Sequence, residues 1–206
     1  MALTVPPPRI APPVPRDGRT DAVSRDPWAR WYERELGWAT AGGTPVRLLT
    51  GLRFDALVVP AAVGRAALRR VGRTGPVAVA GRRMSVLVAP GSADELPGLL
   101  DWLEWGGVAL ALTALGAGGR ITAPRPPGLE GAPGAAVWLR PPSASRERGD
   151  EPVFPALSGF GSRGGDAPDL VRLVDAMATE CHRARLTRAR TGLHSEKTAA
   201  QPLAFS

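Results

Sequence analysis

The chain has 206 residues, of which 44% are hydrophobic, 5% aromatic and 22% charged. That is enough apolar material for one domain of roughly 120–150 residues with irregular flanks, not for several independent cores. The formal net charge is +7, the single cysteine (Cys181) rules out an intramolecular disulfide, and no apolar run reaches the ~18 residues of a membrane span, so a cytoplasmic protein with no membrane partner is expected.

Residues 1–25, "MALTVPPPRIAPPVPRDGRTDAVSR", form a Pro-rich polar arm with no apolar signal-peptide core. It is expected to be disordered, because it cannot bury enough apolar surface to offset the entropy of ordering. "PPPRIAPPVPR" suits a groove that reads polyproline II, although a solvated tail explains the same composition. "DPWARWYERELGW" then predicts a short helix, capped by Asp26, started by Pro27 and stopped at Gly37. Its Trp28, Trp31, Tyr32 and Leu36 share a face that should anchor it to the core.

Strands are expected at 46–51 and 54–60, then a helix at 61–71 with Val63, Ala67 and Val71 inward and Arg65, Arg69 and Arg73 outward. "GPVAVAG" and "RRMSVLVAP" read as a hairpin around Ala80–Gly81–Arg82. Ser92 and Glu95 match a capping box for a helix reaching about Trp105. Further short strands are expected in "VALALTALG", "RITAP" and 135–140. After a linker over 141–166, Leu170, Leu173, Val174, Met177, Cys181 and Ala184 recur at helical spacing within an amphipathic helix over 167–191. Residues 192–206 read as a disordered tail. The sum is an α+β fold, a small mixed or antiparallel sheet with packed helices, a Pro-rich arm and a long C-terminal helix.

Motifs for catalysis are scarce. His182 and His194 are the only histidines. Cys181 and His182 are sequence neighbours, so on a helix they point about 100° apart and make no dyad. G-x-S-x-G, the Walker lysine motif and the spaced Cys/His sets of metal sites are absent from the sequence. Arginine supplies almost all the positive charge, with Lys197 the one lysine, a bias that fits coding from a GC-rich genome. Some of that charge is local, however. No acid lies between Asp55 and Asp94, where Arg65, Arg69, Arg70, Arg73, Arg82 and Arg83 fall. Such a stretch is suited to phosphate contacts.

The order of "ELGW", "TG", a hydrophobic strand ending "P…G", a helix, "GPVAVAGRRMSVLVAPGS" and "LPGLLDWLEWGG" resembles the N-terminal prim-pol domain of actinobacterial bifunctional DNA primase/polymerase proteins. It covers residues 26–140. The resemblance implies an α+β domain on an RRM-like sheet that makes primers with divalent metal. In that family the strand after "TG" ends in Asp-x-Asp, whose acids hold the metals. Counting back from Gly64, the matching places are Val58 and Pro60. The next hairpin usually carries Gly-Gly-x-His, with histidine on the nucleotide; here Met84 takes that place. A third acid is expected later, and none of Asp94, Glu95, Asp101 or Glu104 aligns with it. Neither valine nor proline can supply the hard oxygen that magnesium needs. Asp55 lies earlier on the same strand, on the face of Leu57 and Val59, where a bond to a turn or to Arg47 or Arg53 is expected rather than catalysis.

The expected function is therefore a catalytically inactive primase/polymerase-like domain, with no metal, cofactor or catalytic residues, that binds nucleic acid through Arg65, Arg69, Arg70, Arg73, Arg82 and Arg83. The competing readings are a protein-interaction or self-associating module using the arm and C-terminal helix, and an active enzyme using Asp55.

Overall fold

A computed structural model describes residues 26–142, 154–157 and 169–199. The expectations for residues 1–25 and for most of the 141–166 linker lie outside the described residues. Helix α1 (Pro27–Trp31) starts as the sequence predicts: the Trp28 amide donates to Asp26 Oδ1 at 2.8 Å, and Pro27 occupies the first turn. It runs straight into a π-helical turn (Tyr32–Leu36) that ends at Gly37 with φ 65°. That left-handed conformation costs glycine little and other residues more.

The centre of the chain is a βαββαβ unit. Its elements are β3 (Asp55–Pro60), α2 (Ala61–Leu68), β4 (Val77–Ala80), β5 (Arg83–Val88), α3 (Ser92–Trp102) and β6 (Thr113–Leu115). The strands associate in the order β6-β3-β5-β4, with β8 (Val137–Arg140) added beside β4, and every neighbouring pair is antiparallel. The α+β expectation with a central hairpin therefore holds. Both helices pack on one face because each connects two parallel strands that flank a third. A second sheet, β1 (Thr40–Ala41), β2 (Arg47–Leu49) and β7 (Arg120–Thr122), forms a separate layer.

Period-two alternation sorts the central strands between two cores. Leu57, Val59, Val77, Val79, Met84, Val86 and Val88 pack against α2, α3 and α4 (Leu170–Ala199). Ala56, Val58 and Leu87 point the other way, under Tyr32, Trp38, Phe54 and the small sheet. Phe154, from within the expected linker, packs into this second core, and the Ala89 amide donates to Pro155 O at 2.9 Å. Part of that segment is thus built into the fold. Of the tryptophans expected in the core, Trp38 is buried, Trp28, Trp31 and Trp138 are half-buried against the aromatic core, Trp105 is half-buried elsewhere, and Trp102 is 71% exposed.

Helix α4 seats Leu170, Leu173, Val174, Met177 and Cys181 in the aliphatic core, as its spacing predicts. It begins on an Asp169 cap, whose Oδ1 accepts from the Val171 amide at 2.8 Å, and continues to Ala199 rather than stopping at 191. Gly192 is the only glycine or proline in that extension, and one glycine costs a helix about 1 kcal/mol without ending it. The capping box at Ser92 is the other correction. Ser92 lies inside α3, Gly91 is the N-cap without a side-chain bond, and the capping oxygen comes from Asp55 on β3.

Candidate nucleic-acid interface

The places that the primase resemblance assigns to metal-binding acids, Val58 and Pro60 on β3, are apolar. Val58 pairs with Ser85 and is 6% exposed within the aromatic core. Met84 pairs with Val59 on the opposite face and is fully buried beneath α2. There Gly64 allows the close approach, since a Cβ at that position would stand 2.3 Å from Met84 Sδ. A histidine at 84 would thus be separated from acids at 58 by the sheet itself. Asp94, Glu95, Asp101 and Glu104 are exposed along α3 and its end. Among the described residues no three His, Cys, Asp or Glu side chains lie close enough to hold a metal ion. The residues present do not fit a pair of divalent metals, which require convergent oxygen ligands.

Asp55 has a different task. Its carboxylate is 1% exposed, and Oδ2 accepts a hydrogen bond from the Ala93 amide at 2.9 Å. It lies at the positive end of the α3 dipole, where a carboxylate stabilises both the unpaired amides and the helix charge. The sequence suggests a bond to a turn or to an arginine; the bond found comes instead from a backbone amide in the first turn of α3. Its Oδ1 has no hydrogen-bond partner among the described residues. Gly116, from the loop after β6, closes over the carboxylate, with a hypothetical Cβ 3.8 Å from Oδ2.

The six arginines singled out from the sequence are all exposed but do not form one patch. Arg65 and Arg69 lie one turn apart on the outer face of α2. Arg70 follows at its end and donates to Glu180 Oε1 of α4 at 3.1 Å. Arg73 is in the turn beyond. Arg82 and Arg83 belong to the β4–β5 turn, which abuts the start of α2 through the bond from Ala61 N to Arg82 O at 2.8 Å. Arg83 points across the sheet, however, and its Nη2 donates to Thr113 Oγ1 at 3.3 Å. The sequence reading missed that α4 extends the basic face. Arg183 also donates to Glu180 Oε1, at 2.9 Å, so one carboxylate joins the α2 arginines to those of α4. Beyond it come Arg185, Arg188 and Arg190, with no acid between Glu180 and Glu196. From Arg185 to Thr191 every residue is exposed, and the Arg185 side chain reaches back to the body, its Nη1 donating to Ala109 O at 3.5 Å. The acid-free interval was visible in the sequence; its junction with α2 required the packing of the two helices.

Two further titratable groups, Tyr32 and Cys181, are buried. Tyr32 is fully buried, its hydroxyl donating to Pro124 O at 2.6 Å and accepting from Trp138 Nε1 at 3.1 Å. Burial pushes its phenol well above the usual range, against the smaller opposing effect of the Trp138 bond. Burial likewise raises the Cys181 thiol, away from the nucleophilic thiolate. A concavity of about 730 Å³ lies between the start of α1, the loop before β2 and residues 129–136, with Pro27, Trp28, Pro45, Val46 and Leu129 in its walls. No described helix is long and apolar enough to cross a membrane. Comparison of the chain with protein-family models, with curated proteins and with solved structures finds no match.

Proposed function

We propose that this chain is a non-catalytic, primase/polymerase-like domain of the cytoplasm that binds nucleic acid through the arginines of α2 and α4. The convergence of Arg70 and Arg183 on Glu180 carries the reading, because it turns two helical stripes into one surface. Guanidinium groups on such a surface suit phosphate oxygens, and phosphate contacts position a ligand without reading its sequence. The central sheet favours this mode over base stacking. In an open βαββαβ sheet the face away from the helices is free to stack bases on aromatic side chains. Here Ala56, Val58 and Leu87 on that face are covered by the second layer. The primase likeness rests on the order of elements and the RRM-like strand arrangement. The free, buried Cys181 suits a reducing compartment.

Fluorescence anisotropy with a short labelled single strand and a short duplex, across a salt series, tests the proposal. Binding should weaken linearly on a log–log plot, and replacing Arg65, Arg69 and Arg70 with alanine should reduce the slope by about 2–3. Absence of binding at low salt, or a slope unchanged by the triple substitution, defeats it.

A protein-docking role is favoured by one separate observation. Edge strand β8 exposes Val137 and Leu139, 45% and 40% accessible, beside a strand edge that is unpaired among the described residues. Edges of that kind accept another strand.

A further inference from the structure

The groove beside α1 and the Pro-rich segment that leads into it have matching chemistry. Its walls are mostly apolar: Pro27 and Trp28 from α1, Pro45 and Val46 before β2, Leu129 and Ala136 from the loop opposite. The Trp28 indole is fixed as part of the wall, since Nε1 donates to Glu130 O at 3.2 Å. An aromatic ring set among prolines is the surface on which polyproline II peptides stack. Such peptides leave their carbonyls free, and two hydroxyl-bearing residues, Thr44 and Thr122, are among those that line the same groove. Asp26 and Glu130 add negative charge at its margin.

Where the chain enters the fold decides the occupant. Asp26 and Pro27 are both wall residues and the point at which residues 1–25 join the body. "VPPPRIAPPVP" occupies residues 5–15, and residues 1–16 hold Arg9 and Arg16 but no acid, complementing Asp26 and Glu130. Residues 16–25 provide a tether that reaches at most ~33–36 Å and averages ~16–19 Å as a coil, so its length permits docking. Tethering also raises the local concentration to about the millimolar range, so a contact too weak to form between separate molecules is populated within one.

We propose that residues 5–15 dock in this groove as a polyproline II segment of the same chain. The contact is independent of the arginine face, which lies on other elements. It makes the groove a peptide site that an outside Pro-rich sequence could enter only in competition with the chain's own arm.

Paramagnetic relaxation in the full chain tests this. A nitroxide is placed on Ala11→Cys in a Cys181→Ser background, and the amide signals of Gly131, Ala132, Gly134 and Ala135 are followed. A second variant carries the same label with Pro6, Pro7, Pro8, Pro12 and Pro13 changed to serine, which keeps the tether and removes the polyproline chemistry. Docking should cost the groove amides about half their intensity, as expected for a millimolar contact at millimolar effective concentration, and the serine variant should restore most of it. Equal broadening in both variants overturns the proposal. So does broadening that appears only when labelled chains are mixed with isotope-labelled unspun ones, since the occupant is then a second copy. Undisturbed backbone spectra away from the groove identify a folded serine variant.

Discussion

The two faces of the five-stranded sheet are buried by different chemistry. Against α2, α3 and α4 lie valines, leucines and a methionine, held by shape and the removal of apolar surface from water. The one charge there, Asp55, is spent on the end of α3. The other face meets a cluster of rings, with Tyr32, Trp38, Phe54, Trp138 and Phe154 in mutual contact and polar tips bonded to one another and to Pro124. Packing without directional bonds tolerates changes that keep volume; a bonded aromatic cluster does not. The contrast also explains why the sheet would offer the proposed ligand no stacking platform. The protein's own second layer already lies where bases would go.

The harshest way to probe the contrast is to restore an acid to the aromatic side. Val58→Asp should lower stability by about 3–5 kcal/mol in urea unfolding, because its carboxylate would be buried among the rings of the aromatic core. Val58→Asp combined with Pro60→Asp and Met84→His should yield no manganese-dependent nucleotide incorporation; measurable incorporation would overturn the proposal of a non-catalytic domain. Next comes Tyr32→Phe, which strands Trp138 Nε1 and Pro124 O and should cost about 1–3 kcal/mol. A conservative change opposite, Leu57→Ile, should cost less than about 1.5 kcal/mol. Equal losses would erase the difference between the faces.

The same tyrosine gives the comparison a pH signature. Its folded phenol titrates above the unfolded value of ~10. The stability it contributes is therefore complete below about pH 10 and is lost as pH rises toward the folded pKa, because the unfolded state releases its proton first. Wild-type urea midpoints should fall more steeply above about pH 10 than those of Tyr32→Phe. Asp55→Ala should cost about 1–2 kcal/mol through loss of the α3 cap, and Asp55→Asn less, because an amide oxygen can still accept from Ala93. The smallest stability effect belongs to Glu180→Gln, at most about 1 kcal/mol for pairs this exposed. It should nonetheless strengthen nucleic-acid binding measurably by removing the acid between two sets of arginines.

Much of this architecture was legible where local chemistry decides structure. Asp26, Pro27 and Gly37 bound the first helical segment, the β4–β5 hairpin turns at Gly81, and the apolar spacing of α4 marks its seat. The misreadings share a cause. Ser92 and Glu95 have the right spacing for a cap, yet the capping oxygen comes from Asp55, thirty-eight positions earlier. Pattern within a segment cannot report an acceptor brought in by another strand. Alternation in β3 and β5 showed two apolar faces but not what covered the second, which depends on the Trp38 and Phe154 segments folding back. The arginine reading suffered likewise: Arg65, Arg69 and Arg70 were found by charge alone, whereas Arg83 turned to the opposite face and Arg183 joined through Glu180.

Helix α4 behaves mechanically like a beam clamped at one end. At 1.5 Å per residue its 30 residues span about 45 Å, and the part packed on the core, Leu170–Ala184, accounts for half. Force applied near the free end acts on that anchorage with leverage, pressing directly on the cleft between α2 and α3. The same overhang offers trypsin Arg185, Arg188 and Arg190 before any site in the clamped half, so brief digestion should trim the beam back to its mounting and leave the sheet standing.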